Sequence, residues 1–333
     1  MHNYVTHTHQ PLTEADPVGY FFMPSEKYTK SALNLDAQLE LLAHRGLLIP
    51  DPKLAYQCLA NVGYYRLSTY FRPFETNVIT HQFYPNITFN HIESLYEFDR
   101  KLRLLVLDAI ERVEVALRAA LSNILSLQYG PMWYMKEQIF KANWRIKPSP
   151  YKKSPYERFQ QELTHICEHP QETFIKQYYQ RYEDPKYPPI WMIMECLSFG
   201  NCISLFRSLA HTKDQKNIAA TFKQHYQILI SAFEAIRYTR NICAHHARLW
   251  DRWFVVKPRT ITESKNLDCQ PHTFKEQATI LYLLHHAICP DSSWSEHLYQ
   301  LFAQYHKNIP FEKMGFYTTW QSDPFWEFAE NLK

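Results

Sequence analysis

From Leu95 to Ala120 the residues Leu95, Phe98, Leu102, Leu105, Ala109, Val113, Leu117 and Ala120 recur at threes and fours without a break. That spacing turns one face of a helix towards a core, and it predicts a helix over 91–127. A helix of this length must be covered along its whole apolar side, so the rest of the chain has to be laid against it. Opposite charges four apart (Asp99 and Arg103, Asp108 and Arg112, Glu114 and Arg118) read as pairs on its exposed flanks. Gly130-Pro131 supplies the stop. With only six glycines in 333 residues and helical spacing elsewhere, the expected fold class is all-α.

The remaining segments follow the same grammar. Residues 1–32, with Pro11, Pro17 and Pro24 among polar residues, form a lead-in of undetermined structure. Asn34–Asp36 offer a helix start before AQLELLAHRG, and Gly46 a stop. Residues 53–74 read as a helical pair closing at Pro73, in which Tyr64, Leu67 and Phe71 are expected in the core. Pro85-Asn86 marks a turn within a loop or hairpin over 75–90. Four prolines from Pro131 to Pro155 bar a long helix there, leaving an irregular basic and aromatic loop. Residues 156–183 read as a helix pair. IWMIMECLSFGNCISLF is apolar nearly all round and reads as one core helix, with Glu195 a buried carboxylate needing a partner. Helices are expected over 274–288 and 294–307, with Trp320 and Trp326 closing over the body.

Chemistry concentrates in Arg240-Asn241-Ile242-Cys243-Ala244-His245-His246. Leu229, Phe233 and Ile236 give this segment a buried face, and at about 100° per residue Arg240 and then Ala244 continue that stripe. Arg237, Asn241 and His245 form an adjacent polar row. Arg is a planar cation suited to phosphate, and imidazole exchanges protons near neutrality. Without a carboxylate pair, a serine elbow or an HExxH motif, the set suits metal-free cleavage of RNA by its own 2′-hydroxyl. An Arg and a His that merely satisfy the last carbonyls of a helix fit the spacing as well.

Other polar groups are weighed similarly. Arg66 and Arg72, interleaved with tyrosines, are RNA-contact candidates. So are Lys141, Arg145, Lys147, Lys152 and Lys153 in the basic-aromatic loop, beside Trp133, Tyr134 and Trp144. Arg100, Arg103 and Arg118 are either solvated or line an RNA groove. A zinc site built from Cys243, His245, His246, His285, His286 and Cys289 is the rival arrangement, but no CxxC or HxxxH pair anchors it, and no metal or cofactor is expected. The net charge of +3 permits a nucleic-acid partner without requiring one. No signal peptide or membrane span is expected, and seven scattered cysteines fit a reducing cytoplasm.

RNICAHHARLWDR at 240–252 resembles the signature segment of the Abi-like family, the AbiD/AbiF type of abortive-infection protein, a branch of the HEPN superfamily. Its motif is an Arg, a polar residue and, a few residues on, a His; Arg240, Asn241 and His245 match it in order. NVGYYRLSTYFRPF at 61–74, LYEFDRKLRLLVLDAIERVEVALRAAL at 95–121, YGPMWY at 129–134 and PPIWMIMECLSFGNCISLF at 188–206 resemble the same family. Asp251 departs from it, since an Asn is expected there. The resemblance implies a HEPN-type helical bundle over 91–260, preceded by an N-terminal helical region (1–90) and followed by a C-terminal helical extension (261–333).

It further implies a metal-independent endoribonuclease toxin of phage defence, with a composite site in a homodimer. Arg240 would stabilise the transition state, His245 move the proton and Asn241 orient the phosphate. Arg237 would lend support, His246 would share the proton work or, more in keeping with its place, cap the helix, and Glu111 or Glu114 would orient the arginine. Independently of the resemblance, an arginine of this helix would serve as the partner of Glu195. The partners implied are RNA substrate and a structured noncoding RNA. A protein that binds RNA at this site without cutting it is the alternative.

Overall fold

The computed structural model describes residues 29, 31–77, 79–141, 153–259 and 267–332. Among these, thirteen α-helices and short 3₁₀ turns account for the regular structure, and pairing between extended segments is limited to isolated bridges. The fold is all-α, as the periodicity requires.

The axis is α4 (Phe89–Tyr129), 41 residues long and, at 1.5 Å per residue, roughly 60 Å from end to end. Thr88 and His91 close its first turn reciprocally, and Gly130 ends it at φ +88°. Before it come α1 (Leu35–His44), α2 (Pro52–Asn61) and α3 (Tyr64–Phe71). Asn34 and Asp51 cap the first two, Gly46 and Gly63 turn the chain at positive φ, and Asn86 takes the left-handed turn after Pro85. Leu67 and Phe71 enter the core as expected, joined by Tyr70, whereas Tyr64 is only half-buried.

After α4, Trp133 and Tyr134 are fully buried: the start of the expected basic-aromatic surface loop is core. A helix pair follows, α5 (Pro155–Glu168) and α6 (Thr173–Arg181). The apolar run at 190–206 is two helices, not one: α7 (Ile190–Cys196) and α8 (Phe199–Ser208). Ser198 breaks it by accepting the Asn201 N–H as the cap of α8. α7 buries Ile190, Ile193 and Met194, so position 195, one residue past Met194, faces out. Glu195 is exposed and needs no buried partner.

α9 (Thr212–Thr221) leads to α10 (Tyr226–Ala244), which lies on α4. Ile236 and Thr239 face Val106 and Ile110, while Cys243 lies by Arg103 and Leu107, so the two helices run antiparallel. α11 (Phe274–Ile288) and α12 (Trp294–Tyr305) cover further faces of α4. Phe98 of α4 meets the rings of Phe302, Tyr305 and Phe311. The short α13 (Pro324–Asn331) and Trp320 seal that aromatic cluster, as expected of the tail.

Candidate functional site at the end of α10

The buried stripe of α10 is Leu229, Ala232, Phe233, Ala235, Ile236, Thr239, Ile242 and Cys243. It rotates past position 240 rather than through it, because its centre follows Ala232, Ala235 and Thr239 into α4 and α11. Arg240 and Asn241 are therefore half-buried at the border, and Ala244 and His245 are exposed. Among the described residues, the side chains of Arg240, Asn241 and His245 make no intramolecular hydrogen bond or ion pair. Arg237, in the same row, differs: its Nε and Nη2 both donate to Glu234, which also receives Arg207.

The turn after the motif is built from backbone. His245 is the last helical cap, and His246 adopts the left-handed conformation at φ +56°. The His246 N–H bonds the Cys243 carbonyl and the Ala247 N–H the Ile242 carbonyl, at 2.9 Å each. That is a Schellman closure with His where Gly is usual. His246 thus caps through its main chain, and Arg66 of α3 donates to its carbonyl at 2.8 Å.

One turn further on, Asp99 fixes the chain to α4. This fully buried carboxylate accepts from the Leu249 and Trp250 amides, from the Tyr70 hydroxyl and from Arg103. Burial pushes its pKa up, and Arg103, Tyr70 and the two amides pull the other way. Asp99 and Arg103 are a pair, but an interior one, not the solvated pair expected. Arg248 adds a bond to the Thr69 carbonyl, and Asp251 takes a left-handed turn at φ +49°. A groove of about 430 Å³ opens beside the motif, lined by Asn61, Val62, Arg66, Tyr96, Arg100, Arg103, Leu104, Leu107, Cys243 and His246.

The other sequence candidates divide. Glu114 is engaged by Arg118, which also donates to the Leu197 carbonyl, so neither orients Arg240. Glu111 is exposed on α4, one turn beyond the groove residue Leu107. Arg72 pairs with Glu75 outside the groove. Lys141 is folded back onto the Arg207 carbonyl, and burial, with Arg207 beside it, pulls its pKa down. Lys153 is exposed just before the Ser154 cap of α5, and Arg145, Lys147 and Lys152 lie outside the described residues.

The rival zinc ligands do not converge: among the described residues no three His, Cys, Asp or Glu side chains group to hold a metal. Burial, helped by Asp99, pushes the Cys243 thiol up to about 12, which keeps it protonated and a poor nucleophile. Sequence reasoning missed Asp99, Tyr96, Leu104 and Asn61. The signal for Asp99 was present, since it sits between Phe98 and Leu102 on the apolar stripe of α4.

A long helix flanked by shorter ones, with an Arg-Asn-His set at the end of α10 that has no side-chain partner among the described residues, defines an all-helical protein with an open polar site. The Abi-like protein family matches residues 57–251, more than half of the chain, and the chain belongs to it. No curated protein and no solved structure matches significantly. Membership suggests a role in abortive infection. The match ends at Asp251, so α11 to α13 lie outside it. No helix among the described residues is long and apolar enough to cross a membrane.

Proposed function

We propose that the protein is a HEPN-type endoribonuclease of the AbiD/AbiF kind, acting in the cytoplasm as a toxin of a phage-defence system. The observation that carries this reading is the trio Arg240, Asn241 and His245, gathered at the end of α10 with no side-chain partner among the described residues. The neighbouring structural arginines are each held, Arg103 and Arg118 by carboxylates and Arg66 and Arg248 by main-chain carbonyls, whereas Arg240 has no such bond among the described residues and is available to a ligand.

The reaction needs no metal. One copy of His245 takes the proton of the 2′-hydroxyl, and O2′ attacks phosphorus. Arg240 neutralises the charge growing on the non-bridging oxygens, with Asn241 holding one of them. The bond to the 5′-oxygen breaks, and the other copy of His245 in a two-fold dimer gives that oxygen a proton. The products are a 2′,3′-cyclic phosphate and a 5′-hydroxyl. Such an enzyme harms its own cell, and a structured noncoding RNA bound to the same face would hold it off until infection.

Expression of wild type, Arg240→Ala and His245→Ala, with total RNA scored for 2′,3′-cyclic phosphate ends, tests this. The wild type should produce them, in chelator as well, and each variant should lose about 10²–10⁴-fold in rate. Equal ends from all three proteins would sink the proposal. RNA bound by His245→Ala as tightly as by a wild type that never cuts would instead establish binding without cleavage.

A further inference from the structure

We infer that the groove between the α2–α3 turn, α4 and the motif turn is the subsite for one unpaired nucleotide of the RNA, which rests on the nuclease reading for its place beside the cut. Its walls combine two kinds of chemistry. Val62, Leu107 and Tyr96 are half-buried, and Leu104 on the same wall is left 55 % exposed. Around this apolar floor stand Arg66, Arg100 and Arg103.

Each guanidinium is held by part of itself only. Arg66 uses Nη1 on the His246 carbonyl, Arg100 uses Nε on Glu97, and Arg103 uses Nη1 on Asp99 and Tyr70. Among the described residues each keeps at least one terminal nitrogen unengaged. Arg66, which has no carboxylate partner among the described residues, together with the unengaged ends of the ion-paired Arg100 and Arg103, sets donors around an aromatic and aliphatic floor that fit a base with its phosphate. A volume of about 430 Å³ lies within the range of small-ligand pockets. Asn61, at the rim, offers an amide donor and acceptor to a base edge.

The base must be unpaired, because in an A-form duplex both its faces and its pairing edge are covered. The groove adjoins the chemistry, since its walls Cys243 and His246 flank Ala244-His245 and stand three and six residues after Arg240.

The test uses a single strand of about twelve nucleotides whose riboses carry 2′-fluorine and so cannot be cut, alone or annealed to its complement. Binding is read by fluorescence anisotropy. The single strand should bind about tenfold or more tighter than the duplex, and Leu104→Glu should weaken it by a similar factor, consistent with the loss of stacking on one base. Position 104 is exposed, so an unchanged melting temperature is expected for the variant.

Duplex bound as well as single strand overturns the inference. So does a Leu104→Glu protein that binds like wild type, or one whose only change is a shift from dimer to monomer in sedimentation. Leu104-dependent binding by a wild type that cuts nothing leaves the groove standing and removes the nuclease. Cutting unaffected by Leu104→Glu does the reverse.

Discussion

His285 sits in the α4–α11 interface, 1 % exposed, with neither ring nitrogen hydrogen-bonded. Burial drives its pKa down to about 4, the charges of Arg112 and His286 push the same way, and Asp108 opposes them. A folded value below the ordinary 6.5 means that the unfolded chain binds the proton first. The stability tied to neutral His285 is complete above pH 6.5 and is lost as pH falls from there towards 4. The gap corresponds to about 3 kcal/mol. Urea melts of wild type and His285→Leu at pH 7, 5.5 and 4.5 should diverge by that order in favour of the variant on the acid side. Parallel pH dependence would show that His285 takes its proton without cost in the fold. Residue type alone could not reveal this, because a histidine next to another histidine reads equally as ligand, cap or core. Only the packing of α11 on α4 makes it a neutral core residue. Asp99 teaches the same lesson with a different sign. Its i, i+4 relation to Arg103 was plain in the sequence, but the distant amides of Leu249 and Trp250 that it serves were not.

At the scale of elements, boundaries that depend on local chemistry were legible. Gly46, Gly130 and Pro85-Asn86 act where their backbone freedom or rigidity demands, and α11 spans the predicted 274–288. What was not legible is rotation about a helix axis. A stripe read from Leu229, Phe233 and Ile236 carries Arg240 inward, whereas the packing partners of α10 take it through Thr239 and Cys243. That rotation exposes the motif. The end of α10 also stores strain, since His246 holds a left-handed conformation that costs a residue with a Cβ about 1 kcal/mol relative to glycine. His246→Gly keeps the main-chain closure and the carbonyl that Arg66 holds. It should therefore raise stability by roughly 0.5–1 kcal/mol in denaturant melts while RNA cleavage stays within about tenfold of wild type, the loss expected if only a groove contact goes. A fall in cleavage of the size expected for loss of a proton carrier, about 10²–10⁴-fold, would move the side chain of His246 from cap to chemistry.

For the whole molecule, the family match and the physical core have different limits. The match stops at Asp251, but the surface that α4 and α10 present beyond the motif is covered by α11, α12 and the tail. Val106, Ile110 and Ile236 face Phe274, Ala278 and Leu281, and Phe98 lies among Phe302, Tyr305 and Phe311. Lys275 and Asp323, both fully buried and 2.9 Å apart, lock α11 to the tail, and Asp323 also receives the Tyr317 and Phe325 amides. Uncovering Phe98, Val106, Ile110 and Ile236 at roughly 2 kcal/mol each costs as much as the 5–15 kcal/mol by which a domain is usually stable. A chain ending at residue 259 keeps every residue of the motif and the whole family match, yet it should not hold the motif in place. The expected outcome is loss of the sharp thermal transition, binding of a hydrophobic dye, and no cleavage or single-strand binding, with helical circular dichroism partly retained. A truncated chain that melts cooperatively and still binds RNA would mean that α11 to α13 form an appendage rather than part of the core. In that case the buried pair of Lys275 and Asp323 would serve the tail alone.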